Sequence, residues 1–197
     1  MKSFVNALLF CFVVFMLTSC KKDNPVDSSP SVKQIWPLKP GNTWAYHAIE
    51  YDTTGAITQS GSAVIVVTKD TIVGGETWYQ ISGIGSGGSM FYTNRSDGLW
   101  VMSNSTSGLF QSLYFKYPVS AGESWNLGGD QIFLQSADTL ITVPAGTFHC
   151  YEYRLPMSDY VYFCPGVGFI AEDSYSSTNS GRLYLVGRQS ITSFTLK

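Results

Sequence analysis

His149 stands directly before Cys150, the two residue types that a thiol nucleophile and its general base require. In an extended chain, however, neighbouring side chains point to opposite faces, so these two cannot share a proton. The chain has two histidines, His47 and His149, and a zinc site would need both, joined by cysteines or carboxylates from distant segments; no spacing resembles a ligand motif. Residues 83–88 read GIGSGG and satisfy the GxGxxG pattern of dinucleotide-binding loops. Such a loop must feed a helix whose N-terminus faces the pyrophosphate, whereas Met90-Phe91-Tyr92 reads as a strand, so the glycines are expected to turn a hairpin. The segment Asn94-Arg95-Ser96-Asp97-Gly98 carries one carboxylate, too few for calcium, and ends in the Asp-Gly of a tight turn. Glu172 and Asp173 diverge across a strand and cannot act as a paired acid and base. Neither a catalytic residue nor a metal or cofactor is expected, and the chain does not read as an enzyme.

The elements that would position any such group are strands. Segments 43–51, 62–73, 77–84, 90–93, 99–102, 113–119, 132–143, 147–155, 160–173 and 183–196 are rich in β-branched and aromatic residues and are bounded by Gly, Asn, Asp, Ser or Pro. About ten strands in succession predict an all-β antiparallel meander, strongly curved into a half-barrel or barrel, with a β-sandwich as the alternative. Glycine followed by tryptophan recurs as GNTW at 41–44, GETW at 75–78 and GESW at 122–125, with a shortened copy in Gly146-Thr147-Phe148. The starts at 41, 75 and 122 have no fixed period, which excludes a solenoid. These are corner devices: glycine turns the chain, and the aromatic sets which face points inward. Trp44, Trp78, Trp100 and Trp125 are also the candidate ligand face, able to stack on sugar rings or lipid chains, and Trp36 shares their ambiguity between core and ligand contact.

The first residues carry an address. Met1 and Lys2 precede the apolar run 4–17, which is too short to span a bilayer as a helix and reads as a secretory signal. Leu17-Thr18-Ser19-Cys20 resembles the lipobox of bacterial lipoproteins, which implies cleavage before Cys20 and acylation of its thiol and new amino group. Residues 1–19 are then the signal peptide, 20–34 the lipidated cysteine with a Lys-, Asp-, Ser- and Pro-rich tether, and 35–197 one domain. Lys21 in place of Asp favours the outer membrane of a Gram-negative envelope by the same resemblance. Formal charge is −2 for the whole chain, or −3 without Lys2. No surplus of cationic residues attracts nucleic acid.

WPLKPGNTWAY, FKYPVSAGESW, VPAGTFHCYEY, YFCPGVGFI and the closing ITSFTL resemble, in this order, an uncharacterised family of bacterial secreted proteins and lipoproteins. The resemblance implies the limits of the domain and its all-β fold, and carries no catalytic residue. Cys164 occupies a position where many relatives have a small residue.

Two further expectations concern chemistry on the chain itself. If the turn near Pro156-Met157-Ser158 is symmetric about Met157, residues whose numbers sum to 314 face each other, and Cys150 with Cys164 does so; a disulfide is expected unless a one-residue bulge turns the thiols apart. Thr53, Thr71 and Thr139 each follow an aspartate in a pattern resembling an O-glycosylation acceptor, with ordinary turn chemistry as the alternative. Two function classes remain. One is a membrane-anchored binding module for a lipid, a glycan or an envelope partner. The other is a structural lipoprotein docking in an envelope complex through its outer surface. An apolar cavity would favour the first, and a packed interior with an exposed aromatic patch the second.

Overall fold

The computed structural model describes residues 33–84, 88–105 and 108–197. The signal segment, Cys20 and most of the tether lie outside the described residues.

Twelve strands follow one another: β1 Thr43–Tyr51, β2 Ile57–Val73, β3 Glu76–Ile84, β4 Gly88–Arg95, β5 Gly98–Ser105, β6 Gly108–Lys116, β7 Ser124–Leu127, β8 Asp130–Val143, β9 Gly146–Arg154, β10 Tyr160–Cys164, β11 Gly168–Ser177 and β12 Leu183–Thr195. All recorded pairings are antiparallel, and the spatial order is β6-β5-β4-β3-β2-β1-β12-β11-β10-β9-β8-β7. The first and last strands pair in the middle of the sheet, while its two edges, β6 and β7, are consecutive in the chain. The sheet therefore curls into a nearly closed barrel with its seam between β6 and β7. The expected meander holds, with twelve strands instead of about ten. The segment 160–173 splits at Pro165-Gly166-Val167 into β10 and β11, and the four residues of β7 are too short to show an alternating pattern.

Alternation supplies the core. In β1, Trp44 and Tyr46 are buried, and Ile65 and Val67 of β2, Leu99 of β5, Ile132 and Leu134 of β8, Tyr153 of β9 and Ile191 of β12 join them. Removing each large apolar side chain from water contributes roughly 1.5–3 kcal/mol. Gly41, Gly75, Gly122 and Gly146 turn with φ of 90, 84, 87 and 136°, as the corner reading requires. The aromatic that follows does not always point into the barrel: Trp44 does, while Trp78 is buried outside the central cluster beneath the guanidinium of Arg95.

Few links cross the seam. The Trp125 indole N–H donates to the Tyr114 carbonyl at 3.2 Å, Lys116 meets Glu123 at 2.5 Å, and the buried Tyr153 hydroxyl donates to the Lys116 carbonyl at 2.9 Å. Asn42, 1% exposed, binds the ends of the domain: its side-chain amide donates to the Pro37 carbonyl at 2.6 Å and its oxygen accepts from the Lys197 backbone at 2.8 Å.

Candidate functional site

The barrel interior contains a cavity of about 480 Å³ lined from opposite sides of the sheet, within the range of small-molecule sites. Its walls are mainly Trp36, Tyr92, Tyr114, Phe115, Phe163 and Phe169. Tyr114, Phe115, Phe163, Trp36 and Tyr92 form a closed circuit of rings, with successive centroids at 4.4, 4.8, 5.7, 5.6 and 5.9 Å. Two irregularities make this possible. Between β5 and β6 the register shifts so that Leu99 faces Phe115 and Trp100 faces Leu113; Tyr114 is the extra residue, and it lines the cavity together with its neighbour Phe115. Between β10 and β11, Tyr162 faces Ala171 and Phe163 faces Phe169, leaving Ile170 extra. A bulge gives one strand a residue more than its partner and re-aims the side chains around it.

Trp36 precedes β1 and plugs the barrel. Its carbonyl accepts from Asn94 at 2.8 Å, and its ring edge lies against Gly168, where a Cβ would come within 2.2 Å of Cδ1. Gly83 is required for a similar reason, since a Cβ there would lie 2.0 Å from the Val64 carbonyl oxygen. The first glycine of GIGSGG thus allows close approach of β3 to β2. The segment after the run is β4, a strand, as expected; residues 85–87 lie outside the described residues.

Glu172 lines the cavity and Asp173 does not, so the adjacent carboxylates diverge as predicted. Asp173, 5% exposed, receives both arms of Arg188 at 2.6 and 2.7 Å. Burial raises the Glu172 carboxyl above its ordinary value, Asp159 and Asp173 add to the effect, and a hydrogen bond from Ser174 opposes it. The folded protein therefore holds this proton more tightly than the unfolded chain, whose glutamate titrates near 4.3. Stability from this group is present at low pH and is lost as pH rises from that value through the folded one. Glu172→Gln should raise the unfolding midpoint at pH 8, with the advantage shrinking toward pH 4. Thermal unfolding of both proteins across this range checks it, and a pH-independent difference would contradict it.

The four tryptophans expected to form a ligand face are not brought together, and none lines the cavity. Trp44 is fully buried and donates to the Val167 carbonyl at 2.7 Å. Trp125 packs edge-on against Tyr153 at the seam. Trp78 and Trp100 sandwich Arg95, whose guanidinium lies 5.4 and 4.1 Å from their rings and is bound by Glu76. Most of the wall residues read in sequence only as aromatic strand positions; among them Trp36 alone is ambiguous between core and ligand contact, and Glu172 reads only as a carboxylate beside another.

The expected ladder register is realised. Tyr160 pairs Arg154, Val161 pairs Tyr153, Tyr162 pairs Glu152 and Phe163 pairs Tyr151, each pair summing to 314. The ladder ends there, one step short of Cys164 and Cys150. Both are free thiols in this structure, so the expected disulfide is not formed in it. Each sulfur rests on a local carbonyl instead, Cys150 on Phe148 at 3.7 Å and Cys164 on Pro165 at 3.9 Å. Burial pushes the Cys150 thiol up to about 12, with Cys164 adding, which suppresses the reactive thiolate. A thiol reagent should therefore leave Cys150 unmodified in the native protein and find both thiols in the denatured, unreduced domain. Finding none there would restore the disulfide. His149 is exposed and meets Asp138 at 2.6 Å, away from the buried Cys150. Among the described residues no group of three potential metal ligands occurs.

Thr53 is exposed beside a turn in which Asp52 accepts from the Thr54 backbone and hydroxyl at 2.8 and 2.6 Å. Thr71 is partly buried on β2, and the Thr139 hydroxyl donates to Glu152 at 2.8 Å. The turn chemistry weighed as the alternative thus accounts for Asp52.

The fold resembles that of a candidate lipoprotein from Parabacteroides distasonis, with a TM-score of 0.50, 14% identity, and coverage of 83% of this chain and 99% of that chain. A candidate exported protein of Bacteroides fragilis, described as having a YmcC-like fold, matches with a TM-score of 0.49 and 13% identity over 83% of this chain and 100% of that one. No protein-family model and no curated protein matches the sequence.

Proposed function

We propose that the protein is a non-catalytic binding protein of the bacterial envelope, anchored through acylated Cys20, that holds a small, largely apolar ligand inside its barrel. The single observation carrying the binding function is the cavity of about 480 Å³ walled by an aromatic circuit. A purely structural lipoprotein would be served by a packed interior. Its other requirement, an available edge, does exist at β6, where Leu109 and Phe110 are exposed. The cavity favours the binding reading, because a void among aromatic side chains forfeits packing contacts, a cost that a bound ligand offsets. The anchor is supported by the LTSC segment after the apolar run, and an envelope position by the name of the Parabacteroides distasonis protein of similar fold. By the resemblance to bacterial lipoproteins, Lys21 after the cysteine favours the outer membrane.

The test is mass spectrometry of the protein purified from its native envelope. Intact mass should show acyl groups lost in Cys20→Ala, and would also reveal a glycan at Thr53, Thr71 or Thr139. Denaturation should release a small apolar molecule in stoichiometric amount. Ala63→Trp, which places a large ring at the cavity wall, should release none; Gln189→Trp, on another strand lining the cavity, serves the same purpose if the first variant does not fold. Equal release from wild type and a folded plugged variant would refute the cavity as the ligand site.

A further inference from the structure

The charge of the cavity is one-sided. Glu172 is its one ionisable carboxylate, and no lysine, arginine or histidine lines it among the described residues; the remaining polar groups there are Gln189, the tyrosine hydroxyls and the Trp36 indole N–H, a buried donor without a hydrogen-bond partner. The ion pairs found among the described residues use Glu76, Glu123, Asp138 and Asp173, and none uses Glu172. Its charged neighbours are themselves acidic: Asp173 beside it on β11 and Asp159 in the turn before β10, with the Ser174 hydroxyl as hydrogen-bond partner. Tyr114 of β6, across the cavity, feels the same negative charge, which adds to burial in raising its hydroxyl. An aromatic ring presents a negative face and attracts a cation. Five rings in a closed circuit with one unpaired carboxylate therefore form an environment that lacks only positive charge. A partly buried carboxylate without a counter-ion is costly, and a cation seated beside it would relieve that cost. An anionic head, such as a carboxylate or phosphate, would meet repulsion from Glu172.

We propose that the cavity takes a monovalent organic cation, an amine or quaternary ammonium borne on an apolar body, with its charge beside Glu172 and its body against Trp36, Phe163 and Phe169. This rests on the reading of the cavity as a ligand site and narrows it to one class. The apolar body supplies contact area within the aromatic circuit, and the ammonium supplies the charge that Glu172 and the ring faces select.

The experiment titrates the full-length protein in detergent with three soluble probes of similar size: benzyltrimethylammonium, benzyl alcohol and benzoate. Binding is followed by the tryptophan fluorescence of the protein and by ligand-observed NMR. Wild type should bind the cation at least tenfold more tightly than either other probe. Glu172→Gln, which keeps the shape of the side chain and should not weaken the fold, should lose at least tenfold for the cation and leave benzyl alcohol unchanged. Thermal unfolding verifies that the variant is folded. Equal binding of the three probes, a preference for benzoate, or a cation preference that survives Glu172→Gln would overturn this inference while the cavity remained a binding site. No binding of any probe, with Ala63→Trp indistinguishable from wild type, would overturn the cavity reading as well.

Discussion

Gly168→Ala is expected to destabilise the domain by about 3 kcal/mol, combining an overpacked contact with a backbone conformation that alanine rarely adopts. Gly168 opens β11 with φ of 109°, and an added Cβ would lie 2.2 Å from Trp36 Cδ1 and 2.6 Å from Nε1. The indole is packed among other rings, although it also borders the cavity. Its ring centroid is 5.4 Å from that of Trp44, 5.6 Å from Tyr92 and 5.7 Å from Phe163, and its backbone is tied to Asn94. Trp36→Ala alone should cost about 3–5 kcal/mol as a buried aromatic truncation. In the double variant the steric part of the glycine effect disappears and the backbone part remains, so the combined loss should fall short of the sum by about 1–2 kcal/mol, a coupling of the size found between residues in contact. Urea denaturation of the four proteins measures this cycle, and strictly additive losses would show that Gly168 does not serve to seat Trp36.

Tyr153→Ala should cost about 4 kcal/mol, and Tyr153→Phe only about 1–2 kcal/mol, because the two variants remove different parts of one fastening. Tyr153 is fully buried on β9, with ring centroids 4.8 Å from Phe115 and 5.8 Å from Trp125. Its hydroxyl reaches the Lys116 carbonyl at the end of β6. Phenylalanine keeps the ring contacts and leaves that carbonyl without its donor; alanine removes both. Since β6 and β7 share no ladder among the described residues, this side chain supplies much of what holds the barrel edges together, and local opening follows the density of such contacts. Amide hydrogen exchange should accelerate most in β6 and β7 for Tyr153→Ala, with β1 and β12 in the middle of the sheet least affected. Uniform acceleration over all strands would mean that the seam has no separate opening.

The strand pattern and its corners were legible because both are local. Period-two alternation around Trp44 and Tyr46, and glycines placed before Trp44, Trp78 and Trp125, require no knowledge of distant residues. Even the β9–β10 register could be read, since a short turn around Met157 leaves little choice of pairing. The cavity was not legible. Tyr114 and Phe115 are adjacent, and alternation assigns adjacent residues to opposite faces; only the shift against β5 brings both to the wall. The four tryptophans looked equivalent in sequence, but closure of the sheet sends them to the core, to the seam and to a stack around Arg95.

By itself the sequence determined an antiparallel all-β domain of short strands, the turns between them, the divergence of Glu172 from Asp173, and an expectation of export and lipid attachment at Cys20. These follow from side-chain volume, glycine freedom and local apolar runs, which act over a few residues. The tertiary structure decided that β1 and β12 meet in mid-sheet, that β6 and β7 form a seam, and that Trp36 and four more rings close around a cavity holding Glu172 at its wall. Those outcomes depend on which strand lies beside which and on single-residue bulges between them, and a bulge becomes visible only when the pairing partner is in place.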